Sequence, residues 1–180
     1  MESIAPWTAW LVSALLVEAA IIDGLKLKVP NWLTFHLAAG GMAFATYTGG
    51  AHGLAWSLGG LALGLTLLMP LYIIGGMGAG DVKLLAGVGA WMGPSIVLGS
   101  FVVSALVGGV IAAAMVVRAG EVAKHWTMFH SIGQEIMAIR SPERLSEIAA
   151  QRKPTMMLLP YGIPIAIGSI GYFGWLGLFA

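Results

Sequence analysis

Six stretches of nearly uninterrupted apolar residues divide this chain, at 4–22, 32–47, 54–74, 82–93, 96–117 and 156–179. A membrane-spanning helix needs about 20 largely apolar residues in a row, and most of these stretches approach that length. Only 9% of the side chains are charged and 58% are hydrophobic, whereas a soluble domain carries roughly 25% charged residues. The expected class is therefore an all-α membrane protein, one polytopic domain over residues 1–180 with six transmembrane helices. The opening Met-Glu-Ser-Ile-Ala-Pro offers no basic n-region for a cleaved signal peptide, so the first span is expected to be retained. Disorder is excluded despite 26 glycines, because mean hydropathy is +0.89 and the formal charge is only +1. With no cysteine, the chain has no disulfide framework, thiolate metal site or cysteine nucleophile. The near-neutral charge also removes the basic footprint of a nucleic-acid binder.

All nine basic residues fall on alternate connections. Lys26 and Lys28 follow the first span and Lys83 lies between the third and fourth. Arg118, Lys124, Arg140, Arg144, Arg152 and Lys153 lie between the fifth and sixth. Lys and Arg concentrate in cytoplasmic loops, so both termini are expected outside and the 119–155 connection in the cytoplasm. The fourth span is anomalous: 12 residues at 1.5 Å each reach only about 18 Å, against a hydrocarbon core of roughly 30 Å. Before it stands Gly75-Gly76-Met77-Gly78-Ala79-Gly80, too glycine-rich for a good helix yet uncharged. Irregular backbone at membrane depth is tolerated only beside protein or a water-filled cavity. Pro70, which frees the carbonyl of Thr66, points to the same region. A polar cavity is therefore expected near the cytoplasmic ends of spans three and four. Gly60 with Gly64, and Gly89 with Gly93, have the GxxxG spacing of close helix packing, either within the chain or in a homo-oligomer.

The chain has two aspartates. Asp23 closes the first span and Asp81 opens the fourth, so the charge pattern brings both to the cytoplasmic side. Ionisable groups in membrane helices are costly and usually mark a proton path, an ion site or an active site; the alternative is that each flanks a helix end. Two carboxylates sharing one site do not both ionise readily, so one proton is shared. That state suits peptide hydrolysis without a cofactor or metal: the ionised member takes a proton from water while the protonated member polarises the scissile carbonyl. Asp81, at a helix N-terminus, is expected to be the more acidic partner and Asp23 the usual proton carrier.

Asp23 with Lys28-Val29-Pro30-Asn31-Trp32-Leu33-Thr34, followed by Gly78-Ala79-Gly80-Asp81-Val82-Lys83, resembles the paired signatures of type IV prepilin peptidases, polytopic aspartic proteases with a GxGD motif. The late Pro160-Tyr161-Gly162-Ile163-Pro164-Ile165-Ala166 is similar to the family's last-span motif. The resemblance runs from Asp23 to the final span. It implies cleavage of the basic leader of prepilins or pilin-like proteins at the cytoplasmic face of a bacterial inner membrane, with Asp23 and Asp81 as catalytic residues and Gly78 and Gly80 as motif glycines. On this resemblance the chain is expected to have neither the cysteine-containing insert nor the extra N-terminal helices of larger bifunctional members. It therefore resembles the short form found with Flp/Tad-type pilus systems, and N-methylation of the product is not expected.

The neighbouring residues have physical readings of their own. Gly78 and Gly80 permit unusual backbone angles and close approach of a substrate strand, or simply end a helix. Pro30 and Asn31 make a rigid turn that starts span two, with Asn31 expected to cap it or to bond substrate. Lys83 either tunes the carboxylates or extends toward the headgroups. Glu18 lies about 140° around the helix from Asp23, so the two do not share a face; it is expected to stay neutral or to line the cavity. Ser100, Ser104 and Ser169 read as helix-packing hydroxyls. Within 119–155, Val122, Trp126, Phe129, Gly133, Ile136 and Met137 form an apolar stripe, as for amphipathic cytoplasmic helices lying on the membrane, a tether or a flap over the aspartates. Two other functions fit the residues: a GxGD protease acting on other signal peptides, or a small proton-coupled transporter relaying protons through Asp23 and Asp81.

Overall fold

The computed structural model describes residues 5–120 and 159–180. These residues form α1 (Pro6–Lys26), α2 (Asn31–Ile73), α3 (Ala79–Ala119) and α4 (Gly162–Trp175). The first three are long and apolar enough to cross a membrane. The amphipathic stripe at 122–137 and the rest of that connection lie outside the described residues.

At 43 and 41 residues, α2 and α3 would each run on the order of 60 Å if straight, about twice the hydrocarbon thickness. Neither is straight. Gly50 adopts φ 58° and ψ −141°, a conformation open to glycine at little cost, and the chain doubles back there. Gly53 then lies against Ala45, so closely that a Cβ would overlap the Ala45 carbonyl. In α3 the break is at Gly93, with φ 75°, followed by Pro94, whose missing N–H removes the next helical bond. The spans expected at 32–47, 54–74, 82–93 and 96–117 thus correspond to the halves of these two broken helices. The fourth begins earlier than expected, at Ala79, yet its 79–92 segment remains short, at roughly 21 Å.

Small residues set the packing. Gly60 meets the backbone of Gly89, and Gly64 meets Leu85 and Ala86, so the two GxxxG pairs are used against each other within the chain. Ser57 Oγ donates to the Ala90 carbonyl at 2.7 Å across the same contact, and Trp91 Nε1 donates to the Leu37 carbonyl at 2.8 Å. Gly87 accommodates Leu37, bringing the first half of α2 onto the other side of the short segment. Residues 82 and 84–90 are consequently buried almost without interruption. The second half of α3 runs alongside α4, where Gly168 sits on Ser104 and Gly108 on Tyr161 and Pro164. Ser100, Ser104 and Ser169 are buried in these helix contacts, in line with their expected packing role.

At the far end of α1 from Asp23, Trp7 packs edge-on against Phe44 and Trp91. Trp10 meets Phe179 at 4.7 Å between ring centroids. That leaves the opposite end of the bundle, where α1 ends and α3 and α4 begin, free of large aromatic clusters among the described residues and open to a polar cavity.

Candidate active site

α1 ends because Leu27 turns left-handed, at φ 51°, and its N–H closes on the Asp23 carbonyl at 2.7 Å. The following Lys28-Val29-Pro30 runs extended into α2, with Pro30 (φ −72°, ψ 142°) as the residue that pre-sets the helix start. Val29 is buried, and its backbone lies against Gly80, where a Cβ would come 2.8 Å from the Val29 carbonyl oxygen. Gly80 is thus required for a close approach. The approach is to the chain's own 27–30 turn.

The expectation of unusual backbone angles at the two motif glycines fails. Gly78 has φ −84° and ψ 152°, and neither it nor Gly80 has a positive φ; the left-handed turn is made upstream by Gly75, at φ 80°. The reason is that α3 begins at Ala79, so Gly80 is already helical and Gly78 is the extended residue preceding the helix. Asp81 is the third residue of α3. Its Oδ2 accepts the N–H of Gly78 at 3.1 Å, satisfying a donor that a helix start leaves open.

Asp23 and Asp81 are 3% and 5% exposed. Both line one cavity of about 450 Å³, walled by Lys26, Lys28, Val29, Asn31, Gly78, Gly80, Lys83 and Pro160. The structure therefore brings Asp23, Asp81, Gly78, Gly80, Asn31 and Lys83 to one cavity, whereas Pro30, the residue just before α2, is not part of its lining. Asn31 does not cap α2 with its side chain. Being the first helical residue, it faces across to α3, and its Oδ1 accepts a hydrogen bond from Lys83 Nζ at 3.0 Å. The same ammonium lies 5.2 Å from the centre of the Phe35 ring. Lys83 is thereby pinned across α2 and α3. Glu18 is exposed on the outer face of α1, as its angular offset from Asp23 requires, and does not line the cavity.

One contact was not read from the sequence. The Gly162 N–H, at the start of α4, donates to Asp23 Oδ2 at 2.8 Å. The only signal available was the Pro160-Tyr161-Gly162 motif, which carried no role by itself. Each aspartate thus has its Oδ2 held by the backbone N–H of a glycine. Asp81 does stand in the first turn of α3, the helix N-terminus on which the expectation of its greater acidity rests.

Comparison with known sequences bears on what these carboxylates do. The profile describing the type IV leader peptidase family matches residues 10–113, which include both aspartates and more than half of the chain. The chain belongs to that family. It is similar to the prepilin leader peptidase/N-methyltransferases of Aeromonas hydrophila and Aeromonas salmonicida strain A449, at 38% identity over 111 residues in each case. Each match covers 56% of this chain and 38% of the relative, so the chain spans well under half of these relatives' length. No solved structure matches.

Lys83→Met is expected to lower leader cleavage by less than tenfold, equivalent to under about 1.4 kcal/mol. The Lys83–Asn31 bond ties two helix starts that Gly80 and Val29 already hold together. Initial rates over a range of substrate concentrations check this, and a loss comparable to that of an aspartate variant would move Lys83 into the chemistry.

Proposed function

We propose that this chain is an aspartic endopeptidase that removes the leader peptide of prepilins or pilin-like proteins at the cytoplasmic face of a bacterial inner membrane. The observation that carries the reading is the pair of buried carboxylates, brought from α1 and α3 to one cavity with Lys26, Lys28 and Lys83 around it. Membership of the leader peptidase family supports the class of reaction. The chemistry follows from the pair. With one proton between them, the ionised carboxylate removes a proton from water as its oxygen attacks the scissile carbonyl carbon. The protonated carboxyl donates to the carbonyl oxygen, and the tetrahedral intermediate collapses with cleavage of the C–N bond and protonation of the leaving amine. The glycine N–H on each Oδ2 helps to fix the orientation of each carboxyl. The absence of cysteine, and with it of a cysteine-containing insert, makes Flp/Tad-type precursors the substrate class to try first.

The test is incubation of purified protein with two precursors, an Flp-type prepilin and a type IV prepilin of Aeromonas hydrophila. Mass spectrometry should find one cut that releases the basic leader. Intact precursors after prolonged incubation with folded protein would remove the reading.

The arrangement across the membrane is part of the proposal. Each of the six helical segments, α1, the two halves of α2, the two halves of α3, and α4, makes one crossing with both termini outside. Single cysteines introduced into this cysteine-free chain by Lys26→Cys and Arg140→Cys should react with a membrane-impermeant maleimide only from the cytoplasm. Those from Ala51→Cys and Ala180→Cys should react only from outside. Labelling of positions 26 and 140 from opposite sides would refute the six-crossing layout.

A further inference from the structure

The contact between Asp23 and α4 joins residues 139 apart in sequence, and its geometry is restrictive. A Cβ built at Gly162 would lie 3.0 Å from Asp23 Oδ2 and 3.3 Å from its Cγ, tighter than ordinary van der Waals contact. Gly162 itself is buried and is the first residue of α4, where the N–H has no partner within the helix. The height of α4 along the bundle is fixed independently of Asp23. Gly168 lies on the backbone of Ser104, Gly108 receives Tyr161 and Pro164, and Ser104 Oγ reaches the Ile165 carbonyl at 3.5 Å. Sliding α4 by one residue would undo these contacts together and carry its first N–H away from the carboxylate.

We infer that Gly162 is a positioning residue for Asp23. The first turn of α4 supplies the backbone N–H that fixes one carboxylate oxygen, and the absence of a side chain at 162 is what lets the carboxylate reach it. The inference rests on the reading of Asp23 as one of the two catalytic carboxylates, but the contact has consequences that need no substrate. A donor to the ionised form favours that form, so loosening the contact moves the titration of Asp23 to higher pH. Among the described residues, the other groups near that carboxylate are Asp81 and Lys83 from α3, Lys26 and Lys28 at and beyond the end of α1, and Tyr161 next to Gly162; the one α2 residue of the cavity lining is the neutral Asn31.

The chain's two aspartates make the test direct. In full-length Asp81→Asn protein, made cell-free with 13Cγ-labelled aspartate in detergent micelles, Asp23 gives the one carboxyl resonance to follow against pH. Adding Gly162→Ala should raise its midpoint by about half a pH unit or more. Gly24→Ala is the control, because its Cβ would meet Ile163 Cδ1 at an ordinary 3.4 Å in the same α1–α4 contact without touching the carboxylate. It should leave the midpoint in place. Should Gly162→Ala fail to fold, 15N-glycine labelling of the otherwise unaltered chain serves instead: the Gly162 amide proton should shift with the same midpoint as the Asp23 carboxyl. A Gly162 amide that ignores that titration, or equal midpoint shifts from Gly162→Ala and Gly24→Ala, would overturn the inference. On the prepilin substrates, Gly162→Ala should also move the pH profile of kcat/KM to higher pH, whereas a purely structural loss lowers activity at every pH without moving the profile. If the unaltered chain cleaves neither precursor, the peptidase reading falls while the spectra still decide whether Gly162 holds Asp23.

Discussion

Asp23→Asn and Asp81→Asn should each lower leader cleavage by roughly 10²- to 10⁴-fold, the range expected when a positioned acid or base is lost. Asparagine has almost the same shape as aspartate, and its amide oxygen still accepts the Gly162 or Gly78 N–H, so the backbone contacts that surround each carboxylate survive. What disappears, on the proposed mechanism, is the capacity to remove a proton from water and to share one proton across the pair. Folding should be unaffected, since the substitution removes a buried ionisable group without opening a cavity. The measurement is precursor cleavage over a long time course, alongside size-exclusion and thermal unfolding in detergent. Turnover within tenfold of the unaltered protein by either folded variant would sink the two-carboxylate mechanism.

The second large effect lies in the helix contact that presents Asp81. A Cβ at Gly60 would overlap the Gly89 carbonyl, and one at Gly89 would overlap the Gly60 carbonyl. These are backbone collisions, which no side-chain rotation relieves. Gly60→Ala or Gly89→Ala must force the second half of α2 away from the short segment 79–92, breaking the Ser57–Ala90 bond between them. A loss on the order of 4 kcal/mol is expected, and with it a fall in Tm of roughly 10 °C. Gly109→Ala and Gly171→Ala provide the contrast, as a Cβ at either position meets nothing within 4 Å. Both should unfold within about 1 kcal/mol of the unaltered chain. Thermal melts of the four variants in one detergent decide the matter, and equal losses at buried and open glycines would mean that the close approach is not what stabilises this pair.

The apolar runs, the shortness of the fourth stretch and the meeting of Asp23 with Asp81 were legible because each follows from something one-dimensional. Run length against bilayer thickness separates the helices, and basic residues on alternate connections put the two aspartates at one end. The GxxxG spacing likewise marked helix faces that pack closely, though not which helices would meet. What escaped was pairing through the backbone. A glycine N–H bonding a distant carboxylate leaves no mark in residue type, so nothing in Gly162 names Asp23 as its partner. The Lys83–Asn31 bond escaped for a related reason: Asn31 was read as a local cap, and only the lateral placement of α3 beside α2 reveals the stronger use of its oxygen. At Gly78 and Gly80 the residue type was informative but the cause assigned to it was wrong in part, since glycine serves close approach as well as left-handed turns, and here only the former applies.

The join between the end of α1 and the start of α4 bears on the order in which the molecule is made. A ribosome threading this chain into a bilayer delivers Asp23 first and then Asp81 with its own Gly78 donor, but the Gly162 donor emerges only with the last described helix. Until α4 inserts and seats against Ser104, the first carboxylate has no backbone donor and the cavity lacks its Leu159–Pro160 wall. A partly synthesised chain therefore holds both aspartates before the cavity has its α4 donor and wall, so on the proposed reading of the pair the site is completed only when α4 is in place.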